Sequence, residues 1–172
     1  RDENKSFYWF EKAFNMRKTK ASINNYGVCL MKGIRIDKNI EKAEEIFSIG
    51  VNQNDLNSMY HLAFIREKTN QEESLELYKK AAKQGHLYSQ IKYATIISTK
   101  NPAKSLKYFK LAAENDDSNS QEYLGNLLPD QDQDLSMKYF KKSSEKGNIN
   151  AMEFLAKKYS KENDTENTYK YM

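Results

Sequence analysis

Ser58-Met59-Tyr60-His61-Leu62-Ala63, Ser89-Gln90-Ile91-Lys92-Tyr93-Ala94, Ser120-Gln121-Glu122-Tyr123-Leu124-Gly125 and Ala151-Met152-Glu153-Phe154-Leu155-Ala156 follow one another at steps of 31 residues. Each places a small residue first, a large one four positions on and a small one at the fifth. Two further columns keep the same step: Ala43, Ser74, Ser105, Ser136, and the aromatic Phe47, Tyr78, Phe109, Phe140. Columns that hold one register over a period of roughly 20–50 residues mark stacked repeats.

Each unit reads as two helices. At about 100° per residue, the small-large-small positions of the first helix, here helix A, fall on one face. Small side chains there let a neighbouring helix approach, while Leu or Tyr fills the remaining space. The second helix, B, repeats the device with Ser74, Leu77, Tyr78 and Ala81 and their equivalents. A unit this short cannot bury such faces alone, so the units must stack. The turns agree. Asn54, Gly85, Asp116 and Gly147 stand where helix B ends, the residue types that best tolerate a left-handed backbone. Asp55, His86, Asp117 and Asn148 come next, and three of those four are preferred N-caps for the following helix A.

The predicted fold is therefore all-α, a superhelix (solenoid) of stacked helix-turn-helix repeats. The pattern makes residues 1–172 one array of about five repeats, with units near 22–57, 58–88, 89–119, 120–150 and 151–172. Ser6-Phe7-Tyr8-Trp9-Phe10 and Thr168-Tyr169-Lys170-Tyr171-Met172 both resemble helix B, so the array is expected to be cut inside that helix at each end.

Composition supports this and excludes alternatives. Six Gly and two Pro in 172 residues are too few for the turns of a β-sandwich or doubly wound sheet. Twelve Tyr, eight Phe and six Met supply core material despite 30% charged residues, which argues against disorder. No stretch approaches the roughly 18 apolar residues of a membrane span. A single Cys excludes an internal disulfide or a cysteine-based zinc site, and favours a cytoplasmic compartment over the endoplasmic-reticulum lumen. Charge is mixed, 28 basic against 24 acidic residues, which disfavours nucleic acid as the partner. Two His, His61 and His86, lack carboxylate or Cys neighbours at a catalytic spacing and are expected to be exposed or capping.

The first full unit carries a family signature. Ser22, Tyr26, Gly27 and Leu30, then Gly33-Ile34-Arg35-Ile36-Asp37, then Lys42-Ala43 are similar to the helix, the G-V-x-x-D loop and the Lys-Ala opening of the Sel-1-like repeat, a relative of the tetratricopeptide repeat. Tyr78-Lys79-Lys80-Ala81-Ala82-Lys83-Gln84-Gly85-His86 resembles that family's helix-B ending. Later units lack the G-V-x-x-D loop and are shorter. The resemblance implies a right-handed α-solenoid whose members serve mainly as adaptors in protein complexes.

Candidate binding residues lie on the second face of helix A. Val28 and Met31, then Asn57, Tyr60 and Phe64, then Tyr88 and Ile91 project roughly opposite the buried stripe, and the face turns polar at Asn119, Glu122, Asn150 and Glu153. By similarity to related repeats this is the concave face. Two readings are open: a peptide-binding groove, or side chains buried against adjacent A helices. Asn57, Asn119 and Asn150 either clamp an extended backbone or reflect a helix-start preference. The helix-B lysines, among them Lys79, Lys80, Lys107, Lys138 and Lys142, are diluted by Glu72, Glu73 and Glu76 and read as a solvated face. Ser89-x-x-Lys92 matches the nucleophile motif of penicillin-recognising enzymes, but its companion motifs are absent and Ser89 sits in a packing column. Nothing implies catalysis, a cofactor, a metal or a small-molecule substrate. The expected function is a non-catalytic scaffold for a protein or peptide partner. The alternatives are a repeat region of a larger enzyme such as a signalling kinase, and recognition of RNA or an acidic partner by the helix-B lysines.

Overall fold

The computed structural model describes residues 3–34, 36–115, 117–127 and 133–172. Every regular element among them is a helix. In chain order these are α1 (Glu3–Met16), α2 (Lys20–Lys32), α3 (Ile40–Asn52), α4 (Leu56–Arg66), α5 (Gln71–Lys83), α6 (Leu87–Ile97), α7 (Pro102–Glu114), α8 (Ser118–Leu127), α9 (Gln133–Glu145), α10 (Ile149–Lys161) and α11 (Thr165–Lys170). The helix-A phrases fall on α4, α6, α8 and α10, and the aromatic column on α3, α5, α7 and α9. The chain divides into two compact units, Arg1–Ser89 and Gln90–Met172.

In the first unit α1 packs on α2, α2 on α3, α3 on α4 and α4 on α5. The small residues set how closely they meet. A Cβ on Gly50 would lie 2.0 Å from the Ser58 Oγ, so the Ser58 side chain of α4 fills the space that a side chain at this position of α3 would need. A Cβ on Gly27 would lie 2.7 Å from the Phe47 ring. Phe47 and Tyr78 are fully buried. In the second unit α7 packs on α8, α8 on α9, α9 on α10 and α10 on α11. Gly125 there stands to Phe140 as Gly27 stands to Phe47, with a Cβ-to-ring distance of 2.8 Å.

The serine column has a role that size alone does not show. Ser74 Oγ donates to the Ala63 carbonyl at 2.8 Å, Ser105 Oγ to Ala94 at 2.8 Å, and Ser136 Oγ to Gly125 at 2.6 Å. Each bond ties the first turn of a B helix to the helix A before it. Buried hydroxyls require such partners, because an unpaired one costs free energy.

The termini are capped as their residue types require. Asn39, Asn70 and Asn101, again 31 residues apart, accept from the amides of Lys42, Glu73 and Lys104 to start α3, α5 and α7. Asp55 and Asn148 cap α4 and α10, and Asp117 accepts from the Ser120 amide. Asn54, Gly85 and Gly147 take the expected left-handed conformation at φ 54°, 88° and 82°. Asp116, the fourth member of that column, lies outside the described residues, as does Arg35 of the first loop.

Candidate functional site

Helix α4 and the start of α6 bring several of the candidate residues together in the first unit. Tyr60 is half-buried on α4, and its ring lies 5.9 Å from that of Tyr88, 5.4 Å from His86 and 5.8 Å from Tyr78 beneath. Tyr88 itself is 60% exposed. Spacings of this order are those of favourable aromatic pairs. One turn beyond Tyr60, Phe64 is 47% exposed. The cluster thus has a packed base, Tyr78, and an accessible rim, Tyr88 and Phe64. Tyr78 donates its phenol hydrogen to Glu67 Oε1 at 2.6 Å. Burial first, and this bond second, push its pKa up, so the phenol stays protonated.

His86 is the hinge of the group. Its Nδ1 accepts from the Ser89 hydroxyl at 2.8 Å and from the Ser89 amide at 3.3 Å, which makes the imidazole the N-cap of α6. Its Nε2 lies 3.1 Å from Asn57 Oδ1. With Nδ1 accepting, Nε2 carries the proton and donates to Asn57. Burial lowers the His86 pKa, opposed by the charge of Asp55, which favours this neutral form.

The Ser89–His86–Asn57 chain has the connectivity of a nucleophile, a base and an orienting amide, but not their accessibility. Ser89 is 0% exposed and its hydroxyl is committed to the cap. A group that substrate cannot reach is not a nucleophile, so the Ser89-x-x-Lys92 motif is a packing coincidence. His61, by contrast, corrects the sequence reading. It is neither exposed nor capping: its ring stacks on Phe47 at 4.9 Å, and burial, aided by the nearby charges of His86 and Lys32 and opposed by Asp55, lowers its pKa to about 4. Tyr123 on Phe109 and Phe154 on Phe140 repeat that stack in the second unit. The column of His61, Lys92, Tyr123 and Phe154 keeps the same 31-residue step in the sequence, next to the face that carries the binding candidates.

The remaining candidates divide. Met31 is only 8% exposed, although its side chain still lines a groove described below; Val28 on α2 and Ile91 on α6 are half-buried. Asn57, Asn119 and Asn150 share a third role that neither sequence reading anticipated. Their amides join successive turns: Asn57 receives His86, Asn119 Oδ1 lies 3.5 Å from Asn148 Nδ2, and Asn150 Nδ2 donates to Glu122 at 3.3 Å. Asn148 also donates to Glu122, at 2.9 Å. Exposed Glu153 pairs with Lys157 on its own helix. On α8 and α10 this face is thus polar and internally bonded, while in the first unit it is aromatic.

Among the described residues no group of His, Cys, Asp or Glu could hold a metal ion, and no helix is long and apolar enough to cross a membrane. Cys29 is buried as a thiol.

The fold is similar to that of solved repeat proteins. A Sel1 repeat protein from Oxalobacter formigenes superposes with a TM-score of 0.85 at 20% identity, over 99% of this chain and 77% of that one. The antigen c5321 of uropathogenic Escherichia coli, with an SLR fold, gives 0.78 at 20% identity over 95% of this chain and 39% of its own. The immunity protein Pa5087 from Pseudomonas aeruginosa gives 0.61 at 16% identity, over 86% and 60%. No curated protein matches significantly in sequence. The Sel1 repeat model itself matches residues 1–17, 20–55, 57–86, 96–117 and 122–148. Repeats matched along most of its length, on a helical scaffold that superposes on solved members, make this chain a member of the Sel1 repeat family.

Proposed function

We propose that this protein is a non-catalytic scaffold that captures a segment of a partner protein on the helix-A face of its first unit. Sel1-repeat proteins are generally protein-interaction scaffolds. The observation that carries the finer reading is the aromatic rim: Tyr88 and Phe64 stand exposed beside half-buried Tyr60, on helices fixed by caps and interhelical hydrogen bonds. Rigid aromatic side chains give large contact area at little entropic cost, which is why such residues dominate protein interfaces. The buried Ser89 hydroxyl supports a role without chemistry.

The helix-B lysines support RNA recognition less well, because Lys79 is already paired with Glu76 at 2.6 Å. The test is selection of peptides from a random displayed library against the whole chain. Peptides that bind should lose affinity for a Tyr60→Ala/Phe64→Ala/Tyr88→Ala variant that keeps its helical circular dichroism. Undiminished binding to that variant overturns the proposal. Collapse of its helicity, with Tyr88→Ala alone binding normally, would assign these rings to the core instead.

A further inference from the structure

A groove of about 550 Å³ opens beside the aromatic rim, between the end of α2, the loop before α3 and the end of α4. Met31, Ile40, Phe64 and Ile65 supply its apolar surface, and Lys32, Lys38 and Lys68 stand around it. All three lysines are exposed. Glu67 is the single carboxylate among the described lining residues, and it accepts the Tyr78 phenol hydrogen. Three ammonium groups therefore surround an apolar trough against one carboxylate already turned toward a tyrosine. An excess of charge of one sign around an apolar surface selects a partner of the opposite sign. Phe64 belongs to both the groove and the rim, since it follows Tyr60 by one turn on the same face of α4.

We infer that this groove receives an acidic protein segment, its Asp or Glu side chains meeting Lys32, Lys38 and Lys68 while interleaved apolar side chains lie against Met31, Ile40, Phe64 and Ile65. The inference rests on the scaffold reading above and names the chemistry of its partner. An extended segment suits the geometry because alternate side chains can point into the trough and along its rim. Carboxylates fit the lining better than a phosphate backbone does. The charges are separate ammonium groups on flexible stems, and none of the described lining residues is an arginine with its guanidinium fork.

Fluorescence anisotropy with the whole chain tests this. The probe is a short labelled peptide alternating Asp and Glu with Leu and Phe. Its comparators replace the acids by Lys, replace the apolar residues by Ser, or are a labelled single-stranded RNA. The acidic apolar peptide should bind, weaken with added salt, and exceed each comparator. Lys32→Glu/Lys38→Glu/Lys68→Glu should weaken it roughly tenfold or more and transfer preference to the Lys peptide. Lys68→Glu alone should give a smaller loss in the same direction, with helicity unchanged. Binding indifferent to these substitutions, equal binding of the Lys or Ser peptide, or preferential binding of the RNA overturns the inference. If library-selected peptides depend on Tyr60 and Tyr88 while the acidic probe does not bind, the groove assignment fails and the scaffold reading stands. If neither class of peptide binds, both fall.

Discussion

Ser74 and Ala63 are joined by a hydrogen bond in which the serine hydroxyl of α5 donates to the alanine carbonyl of α4 at 2.8 Å, with both residues buried. The same bond recurs from Ser105 to Ala94 and from Ser136 to Gly125. Each closes a helix pair at one defined height, and height is what lets one repeat stack in register on the next. Ser74→Ala should therefore cost about 1 kcal/mol, the usual net value of such a bond. Urea denaturation of the single variant measures it. A neutral result would mean that the column acts through size alone and that the bond contributes nothing.

Gly27 and Gly125 pose a contest between helix propensity and packing. Alanine in a helix interior is favoured over glycine by about 1 kcal/mol. A Cβ at either site, however, would come within 2.7 or 2.8 Å of a buried phenylalanine ring. Phe47 is held by its stack on His61 and Phe140 by its stack on Phe154, at 4.9 and 3.8 Å, so neither ring has room to yield. Overpacking of this kind costs about 1–3 kcal/mol, and it should win. Gly125→Ala is expected to lower the melting temperature, and Phe140→Leu in that background should recover part of the loss.

Gly85 shows the opposite case, in which backbone conformation alone decides. Its φ of 88° is left-handed, and a Cβ there would meet nothing within 4 Å. Gly85→Ala should cost about 1 kcal/mol from that conformation. Asn54 occupies the equivalent turn at φ 54° and joins its amide to that of Gln84 in two bonds of 3.0 and 3.3 Å. Asn54→Gly should gain in backbone ease and lose those bonds, leaving a net change smaller than that of Gly85→Ala. Parallel thermal melts of the two variants test this ordering.

Most of the architecture was legible because periodicity reports side-chain size, and size sets the spacing between stacked helices. The columns beginning at Ser58, Ala43 and Phe47 are buried where the sequence places them. What periodicity cannot carry is direction. It marked Ser74 as small without showing which carbonyl its hydroxyl meets. It placed Asn57 on the second face of helix A without showing that His86, 29 residues on, would reach its amide. For Met31 periodicity leaves groove and packed core both open. A face set by angle alone is that of an isolated helix, whereas Met31 lies in the last turn of α2, where Asn39 donates its amide hydrogen back to the Leu30 carbonyl. Seventeen of the residues are Asn, a bias that composition alone ties to no single structural role. The Asn39, Asn70 and Asn101 caps give it one, and their 31-residue spacing was the signal that could have shown it.

The two histidines make the first unit sensitive to acid. His61 has a folded pKa of about 4 against 6.5 when free, with burial as the main cause, and that of His86 is lowered in the same way. A depressed histidine pKa means that the unfolded chain binds the proton first. Stability from these groups is then complete above pH 6.5 and is lost as pH falls toward 4. For His61 the loss should be about 1–2 kcal/mol once solvent screening is allowed for. The second unit already holds the remedy, since Tyr123 and Phe154 fill the same column and stack on their own phenylalanines. His61→Phe should keep the stack on Phe47, remove the titration and flatten the stability curve between pH 7 and 4.5. His86→Asn should act in the same sense by replacing a titratable N-cap with a permanent one, at the expense of the bond to Asn57. Carboxylate titration is common to wild type and variants, so the differences between their denaturation midpoints across that range isolate each histidine. Parallel curves for wild type and His61→Phe would show that the ring is solvated in the folded state and that its burial does not govern stability.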